Sequence, residues 1–231
     1  MPNPLFASFA PFERLLVALS MRADGTMTSG GVAGRGAQAE ENFRRFIGRH
    51  GLPFAAAVRC RQAHGKIVAA VAAKDRGTRV REVDGLVTAT PQTYLTVTVG
   101  DCLPLYFFDP RRQAVGLAHG GWRSLEQGIA AETVRQLADR FGCEPSNVLA
   151  GIGPGIGPCH FVVGPEVAER FAVYPSALAK NSSGELTLDL PAVAASQLQG
   201  VGVRREHIEL HPACPACWIF SPTTCLKRSF S

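Results

Sequence analysis

From residue 54 to residue 118 the chain repeats one pattern, a short apolar run followed by a break at glycine, proline or a charged side chain. Runs of this length bounded by turn residues predict β-strands, here at 54–60, 66–73, 85–88, 94–99, 103–109 and 114–118. The longest run, 67–73, has seven residues. A membrane-spanning helix needs about 18 or more, so no span is expected. Helical signals flank the β-rich middle. In 38–50, Phe43, Phe46 and Ile47 fall on one helical face, with Gly51 and Pro53 behind them. A second helix is predicted from a capping-box pattern, Ser124 with Gln127, a stripe of Leu125, Ile129, Leu137 and Phe141, and an exit at Gly142. Shorter signals predict strands at 15–20, 147–151, 160–163 and near 207–210, a loop at 23–36, a helix starting near Pro165 with Glu166 in its first turn, and in 185–231 a further short strand and an alanine-rich helix from Pro191. With no low-complexity linker and no internal repeat, the expectation is α/β, a single domain over 1–231 with a mixed β-sheet core flanked by helices.

Composition narrows the function classes. Apolar residues make up 46% and charged residues 19%, which excludes disorder as the default. The net charge is +5, and of 24 basic residues only Lys66, Lys74, Lys180 and Lys227 are lysines. Arginine grips flat, forked anions, but these arginines are scattered and aromatics amount to only 8%, so a nucleic-acid groove is not expected. Seven cysteines without dense spacing do not form a secreted disulfide framework. Reduced thiols and the absence of a signal-peptide pattern place the chain in the cytoplasm.

Several motifs fail on inspection. The glycines of Gly153-Pro154-Gly155-Ile156-Gly157-Pro158 alternate, so the dinucleotide fingerprint is not met, and a turn packed tightly against neighbouring backbone is the better reading. No P-loop is present. His207-Ile208-Glu209 followed by Cys214 and Cys217 has the ingredients of a zinc nucleobase deaminase, but the spacing is too short and the prolines oppose the required helices. A structural zinc at His211, Cys214, Cys217 and Cys225 is stereochemically allowed. The simpler alternative is that these thiols pack as small hydrophobes.

A dispersed constellation remains, Gln62-Ala63-His64-Gly65, Gly100-Asp101-Cys102-Leu103-Pro104 and His119-Gly120-Gly121-Trp122-Arg123, each at a predicted strand edge where α/β proteins place reactive groups. Taken singly, each residue is accounted for as a core histidine, a packed cysteine or a turn. Two imidazoles and one thiolate together make a three-ligand set that leaves the fourth tetrahedral position of zinc open. The same groups without metal make a cysteine nucleophile and a histidine base. The wide spacing does not choose between them.

At these residues the chain resembles the laccase-domain or YfiH-like family, once called multicopper polyphenol oxidases and later recognised as zinc-dependent purine nucleoside enzymes. The likeness continues through Asp84-Gly85-Leu86-Val87-Thr88, the 153–157 glycine run and Val163-Gly164-Pro165-Glu166-Val167. It implies an α/β fold shared with cysteine-histidine deamidase toxins, zinc on His64, Cys102 and His119, and catalytic roles for Cys102 and His119. It also implies phosphorolysis of adenosine, inosine, guanosine and methylthioadenosine, together with adenosine deamination. Arg123 and the amides opening the Ser124 helix would then help hold phosphate. A four-copper oxidase needs many histidines, commonly as His-x-His pairs, and this chain has six and no such pair. A single His₂Cys set can still take copper in vitro.

The chain departs from the family outside the metal set. Thr28 stands where the family carries arginine, within Thr26-Met27-Thr28-Ser29-Gly30-Gly31-Val32-Ala33, and the family's closing motifs are poorly matched by Cys214-Pro215 and Phe220-Ser221. Three classes follow from the sequence: a zinc nucleoside phosphorylase and deaminase, a metal-free hydrolase or amidase using Cys102 and His119, and a binding protein whose substrate pocket has decayed.

Overall fold

The chain is described by a computed structural model over residues 5–28 and 35–220. The expected features at 29–34 and at Ser221 and Cys225 lie outside the described residues. The elements in chain order are α1 (Arg35–Arg49), β1 (Ala57–Arg61), β2 (Val68–Ala70), β3 (Arg79–Arg81), β4 (Gly85–Thr88), β5 (Tyr94–Thr96), β6 (Leu103–Asp109), β7 (Ala114–Gly120), α2 (Trp122–Glu126), α3 (Ile129–Phe141), β8 (Leu149–Ile152), α4 (Pro165–Arg170), β9 (Leu178–Lys180), β10 (Leu186–Leu188), α5 (Leu190–Gly200), β11 (Ile208–Leu210) and α6 (Pro215–Phe220). A six-stranded mixed sheet runs β11-β8-β6-β7-β4-β2, beside a three-stranded parallel sheet β3-β1-β5 and the hairpin β10-β9. This is the α/β architecture with a mixed sheet that the sequence predicts.

Strand β6 sits in the middle of the large sheet, and all of its residues are buried. Alternation along a strand sends successive side chains to opposite faces. Leu103, Leu105 and Phe107 meet Leu125, Ile129, Val134 and Leu137 from α2 and α3. Each fully buried Leu or Ile of this kind contributes about 1.5–3 kcal/mol. On the other face Tyr106 and Phe108 pack with Phe6 and Phe9. Glu209 fixes that N-terminal segment to the sheet by accepting from the amides of Ala7 at 2.9 Å and Ser8 at 2.8 Å. Its part in the apparent deaminase motif is therefore structural.

Several expectations are corrected. Residues 15–20 form no strand; Leu15 and Val17 pack against the aromatic cluster instead. Residues 160–163 are turn and coil, with only a single bridge from Val162 to Thr187. The strand expected at 54–60 begins as a 3₁₀ turn and becomes β1 at Ala57. Strand β7 runs two residues beyond the predicted end, so Gly121 becomes the helix N-cap and Ser124 lies buried inside α2 rather than capping it. Gly128, at φ 87, then breaks the helix expected to be continuous into α2 and α3. Only a residue tolerant of the left-handed region fits such a break.

The glycine run at 153–157 has the close packing the sequence suggests. A Cβ on Gly155 would stand 2.4 Å from Leu103 Cδ2 and 3.1 Å from the Asp101 carbonyl oxygen, and one on Gly153 would stand 2.6 Å from Pro104 Cγ. The loop thus lies directly on the segment carrying Cys102. Among the described residues, no helix is long and apolar enough to cross a membrane.

Candidate metal centre

Strand register assembles the site. In the β6–β7 pair Leu103 faces Gly120 and Pro104 faces His119, so Cys102, one step before β6, arrives beside the end of β7. In the β4–β7 pair Gly85 faces Ala118, which sets Asp84 against His119, and the His119 amide donates to the Asp84 carbonyl at 2.7 Å. His64 comes from the turn after β1. The donor atoms of His64, Cys102 and His119 lie within 4.8 Å of one another. The two imidazoles stand edge to face, with centroids 4.9 Å apart.

Asp84 organises the other groups. It is fully buried, and its carboxylate accepts from the amides of Ala63 at 3.1 Å, His64 at 3.0 Å and Gly65 at 2.8 Å. Three successive N–H groups wrapped around an anion form a nest. That wrapping accounts for the left-handed backbone of His64, φ 59, which a non-glycine residue adopts only when its surroundings impose it. The same carboxylate stands 3.0 Å from His119 Nδ1. A hydrogen bond there orients the ring and leaves Nε2 for a metal. Burial opposes the charge on Asp84, but His119 and the three amides outweigh it and hold the carboxyl below its usual range.

The site favours positive charge. Burial works against a charged His119, yet the Asp84 and Cys102 partners outweigh it and push the imidazole up to about 9. A divalent cation among the three donors satisfies the same demand. The space for it depends on Gly121, where a Cβ would stand 3.1 Å from Cys102 Sγ, 3.4 Å from His119 Cε1 and 3.6 Å from His64 Cδ2. Two imidazoles, one thiolate and no side chain in the gap make a donor set that could hold zinc with one position open. Cys60 is a different kind of thiol. Burial, aided by the nearby Asp84 charge, pushes it up to about 12, which leaves it unreactive.

Arg123 is exposed on α2, two residues past Gly121, with its guanidinium 4.3 Å from the Trp122 ring centroid. A cavity of about 1330 Å³ lies over the sheet face that carries His119, Pro104 and Tyr106, and Thr28 is among its walls. The three donors and Arg123 lie outside its lining; Gly100 and Pro104, on either side of Cys102, lie within it.

In the sequence Gln62 and Asp84 stand only as parts of motifs, with no role marked for either. The Gln62 side chain donates to the Thr98 carbonyl at 2.8 Å and accepts from the Thr98 amide at 2.9 Å, copying a strand pair just before His64. Buried carboxylates are rare, and an Asp directly before an apolar strand is the signal that could have found Asp84. The expected tail set is also redrawn. His211 Nδ1 accepts from the Ala213 amide at 3.2 Å, while Cys214 and Cys217 gather with Cys159 and His160.

Comparisons with known proteins identify the family. Residues 24–220 match the family described as "Multi-copper polyphenol oxidoreductase laccase". The chain is 35% identical over 188 residues to "Purine nucleoside phosphorylase YlmD" of Geobacillus stearothermophilus, covering 76% of this chain and 69% of that one. It is 35% identical over 169 residues to "Purine nucleoside phosphorylase YfiH" of Escherichia coli, covering 72% and 67%. Among solved structures, Bacillus licheniformis hypothetical protein YfiH superposes with a TM-score of 0.77 at 29% identity, over 83% of this chain and 76% of that one. YlmD from Geobacillus stearothermophilus superposes with a TM-score of 0.75 at 33% identity over the same shares. The chain belongs to the multi-copper polyphenol oxidoreductase laccase family, the YfiH-like laccase-domain proteins.

Proposed function

We propose that this chain is a single-domain, zinc-dependent purine nucleoside phosphorylase that also deaminates adenosine, taking adenosine, inosine, guanosine, methylthioadenosine and phosphate as substrates. The observation that carries the reading is the convergence of His64, Cys102 and His119 around the gap at Gly121. Two relatives named purine nucleoside phosphorylase supply the substrate class. When bound, zinc supplies a Lewis acid able to bring the pKa of a water toward ~7.

The chain's own groups do the positioning. His64, Cys102 and His119 hold the metal, with Asp84 fixing the His119 ring and the His64 turn. The cavity beside Gly100 and Pro104 gives room for a nucleoside, and Thr28 in its wall replaces a cationic contact with a neutral one. Arg123 supplies positive charge for phosphate beside the ribose while the purine leaves. Arg123→Ala is therefore expected to raise the phosphate KM about tenfold or more, in keeping with the loss of about 1.5–3 kcal/mol from a charge-assisted hydrogen bond. Steady-state kinetics with varied phosphate measure this. An unchanged KM and kcat would remove Arg123 from the site.

A second reading has one observation in its favour. Asp84, His119 and Cys102 stand in the order orienter, base and nucleophile of a metal-free cysteine hydrolase. Metal analysis of wild type and Cys102→Ala separates the two. The metal centre requires one fewer zinc per chain in the variant, and a hydrolase shows no difference. Incubation of wild type with the four nucleosides and phosphate tests the substrate class, and silence across all four favours a binding protein instead.

A further inference from the structure

We propose a second zinc site, closed and structural, formed by Cys159, His160, Cys214 and Cys217. It stands apart from the proposed catalytic centre and does not depend on the nucleoside reading. Its donors come from two segments that the sheet brings together. Strands β8 and β11 are parallel neighbours, with Leu210 opposite Ile152, so the chain leaves both at the same end. The His211 amide continues the pairing by donating to the Ile152 carbonyl at 2.8 Å. Beyond β8 the glycine loop delivers Cys159 and His160. Beyond β11 the chain turns at Cys214, whose carbonyl accepts from the Cys217 amide at 3.1 Å, and this places both thiols of Cys-x-x-Cys on one side.

The distances fit one ion. His160 Nδ1 stands 3.2 Å from Cys159 Sγ, 3.5 Å from Cys217 Sγ and 3.8 Å from Cys214 Sγ, and Cys159 Sγ stands 3.5 Å from Cys217 Sγ. Tetrahedral zinc with bonds of about 2.3 Å to sulfur and 2.0–2.1 Å to nitrogen has donor-to-donor edges of about 3.5–3.8 Å. All four donors lie within 4.8 Å of one another. The Gly157 amide donates to Cys214 Sγ at 3.3 Å, the kind of outer contact that steadies a thiolate ligand. Four protein ligands leave no open position, which marks the site as structural.

Its position gives it a role. The loop it would clamp runs from Gly153 to His160, and within that loop the Ile156 amide donates to the Asp101 carbonyl at 2.7 Å, next to Cys102. The ion thus ties the C-terminal segment to the loop that backs the catalytic thiol. The unfolded chain does not hold these four donors together, so the site's free energy of binding adds to the stability of the fold.

The test is zinc content of the full chain by mass spectrometry after exhaustive dialysis. The expected result is two zinc per chain in wild type, one in Cys217→Ser and in Gly121→Val, and none in the double variant. If Cys217→Ser fails to fold, alkylation of wild type with iodoacetamide, mapped by peptide mass spectrometry, decides the matter. Cys159 is exposed, yet its alkylation should accelerate at least tenfold once a chelator strips the metal. Equal zinc in wild type and a folded Cys217→Ser, or equal alkylation of Cys159 before and after chelation, overturns the proposal.

Discussion

Asp84→Ala is expected to destabilise the fold by about 3–5 kcal/mol, the scale of breaking a buried charged pair, and to abolish metal binding at His64, Cys102 and His119. Four donors converge on this carboxylate. The Ala63 and Gly65 amides share Oδ2, while the His64 amide and His119 Nδ1 share Oδ1. Removing it leaves the nest without its anion and His64 in a left-handed conformation with nothing to hold it there. Asp84→Asn is the more informative variant because it keeps the shape. One oxygen must become an amide N–H₂ that faces donors, so one pair of contacts is lost whichever way the group turns. Metal affinity should fall about 10–100-fold, as for other groups that orient a metal ligand. Competition against a chelator of known affinity measures the fall, alongside denaturant unfolding. An affinity within twofold of wild type would show that Asp84 does not set the His119 ring.

Gly121→Val should have the opposite signature, loss of the metal with the fold intact. Gly121 has φ −75 and ψ 163, a conformation open to any residue, so no backbone strain follows substitution. Its Cβ points into the space between the three donors, 3.1 Å from Cys102 Sγ. Two further methyl groups occupy the volume that an ion needs. Zinc content should fall by one per chain and nucleoside turnover with it, while the Tm of the metal-free proteins differs by no more than about 4 °C, equivalent to roughly 1 kcal/mol in a chain of this size. Metal retained at wild-type stoichiometry would place the ion elsewhere.

These two residues show where the sequence stops being readable. The ends of β6 and the start of β7 follow from their apolar runs, and with them the strand-edge placement of Cys102. Asp84 matters because Gly85 pairs with Ala118 and so puts it against His119, a consequence of antiparallel register that no local pattern records. The helix after β7 was legible as a helix but not its start, because the two extra residues of β7 pass the capping role to Gly121. Strand β3 escaped because Arg79-Val80-Arg81 has no apolar run; it pairs with β1 at the end of a sheet. The run at 15–20 has strand-like residues but spends them on the aromatic cluster, a tertiary contact that local composition does not record. The tail cysteines were visible as candidate ligands, whereas their partners Cys159 and His160 were hidden by more than fifty residues of intervening chain.

The proposed activity is purine nucleoside chemistry at the His64, Cys102 and His119 centre. Its most direct measurement is chromatography of adenosine incubated with zinc-loaded wild type or Cys102→Ala, with and without phosphate. Phosphate-dependent adenine and phosphate-independent inosine are expected from wild type, and neither from Cys102→Ala. Unchanged adenosine with wild type, or equal product from Cys102→Ala, would contradict it.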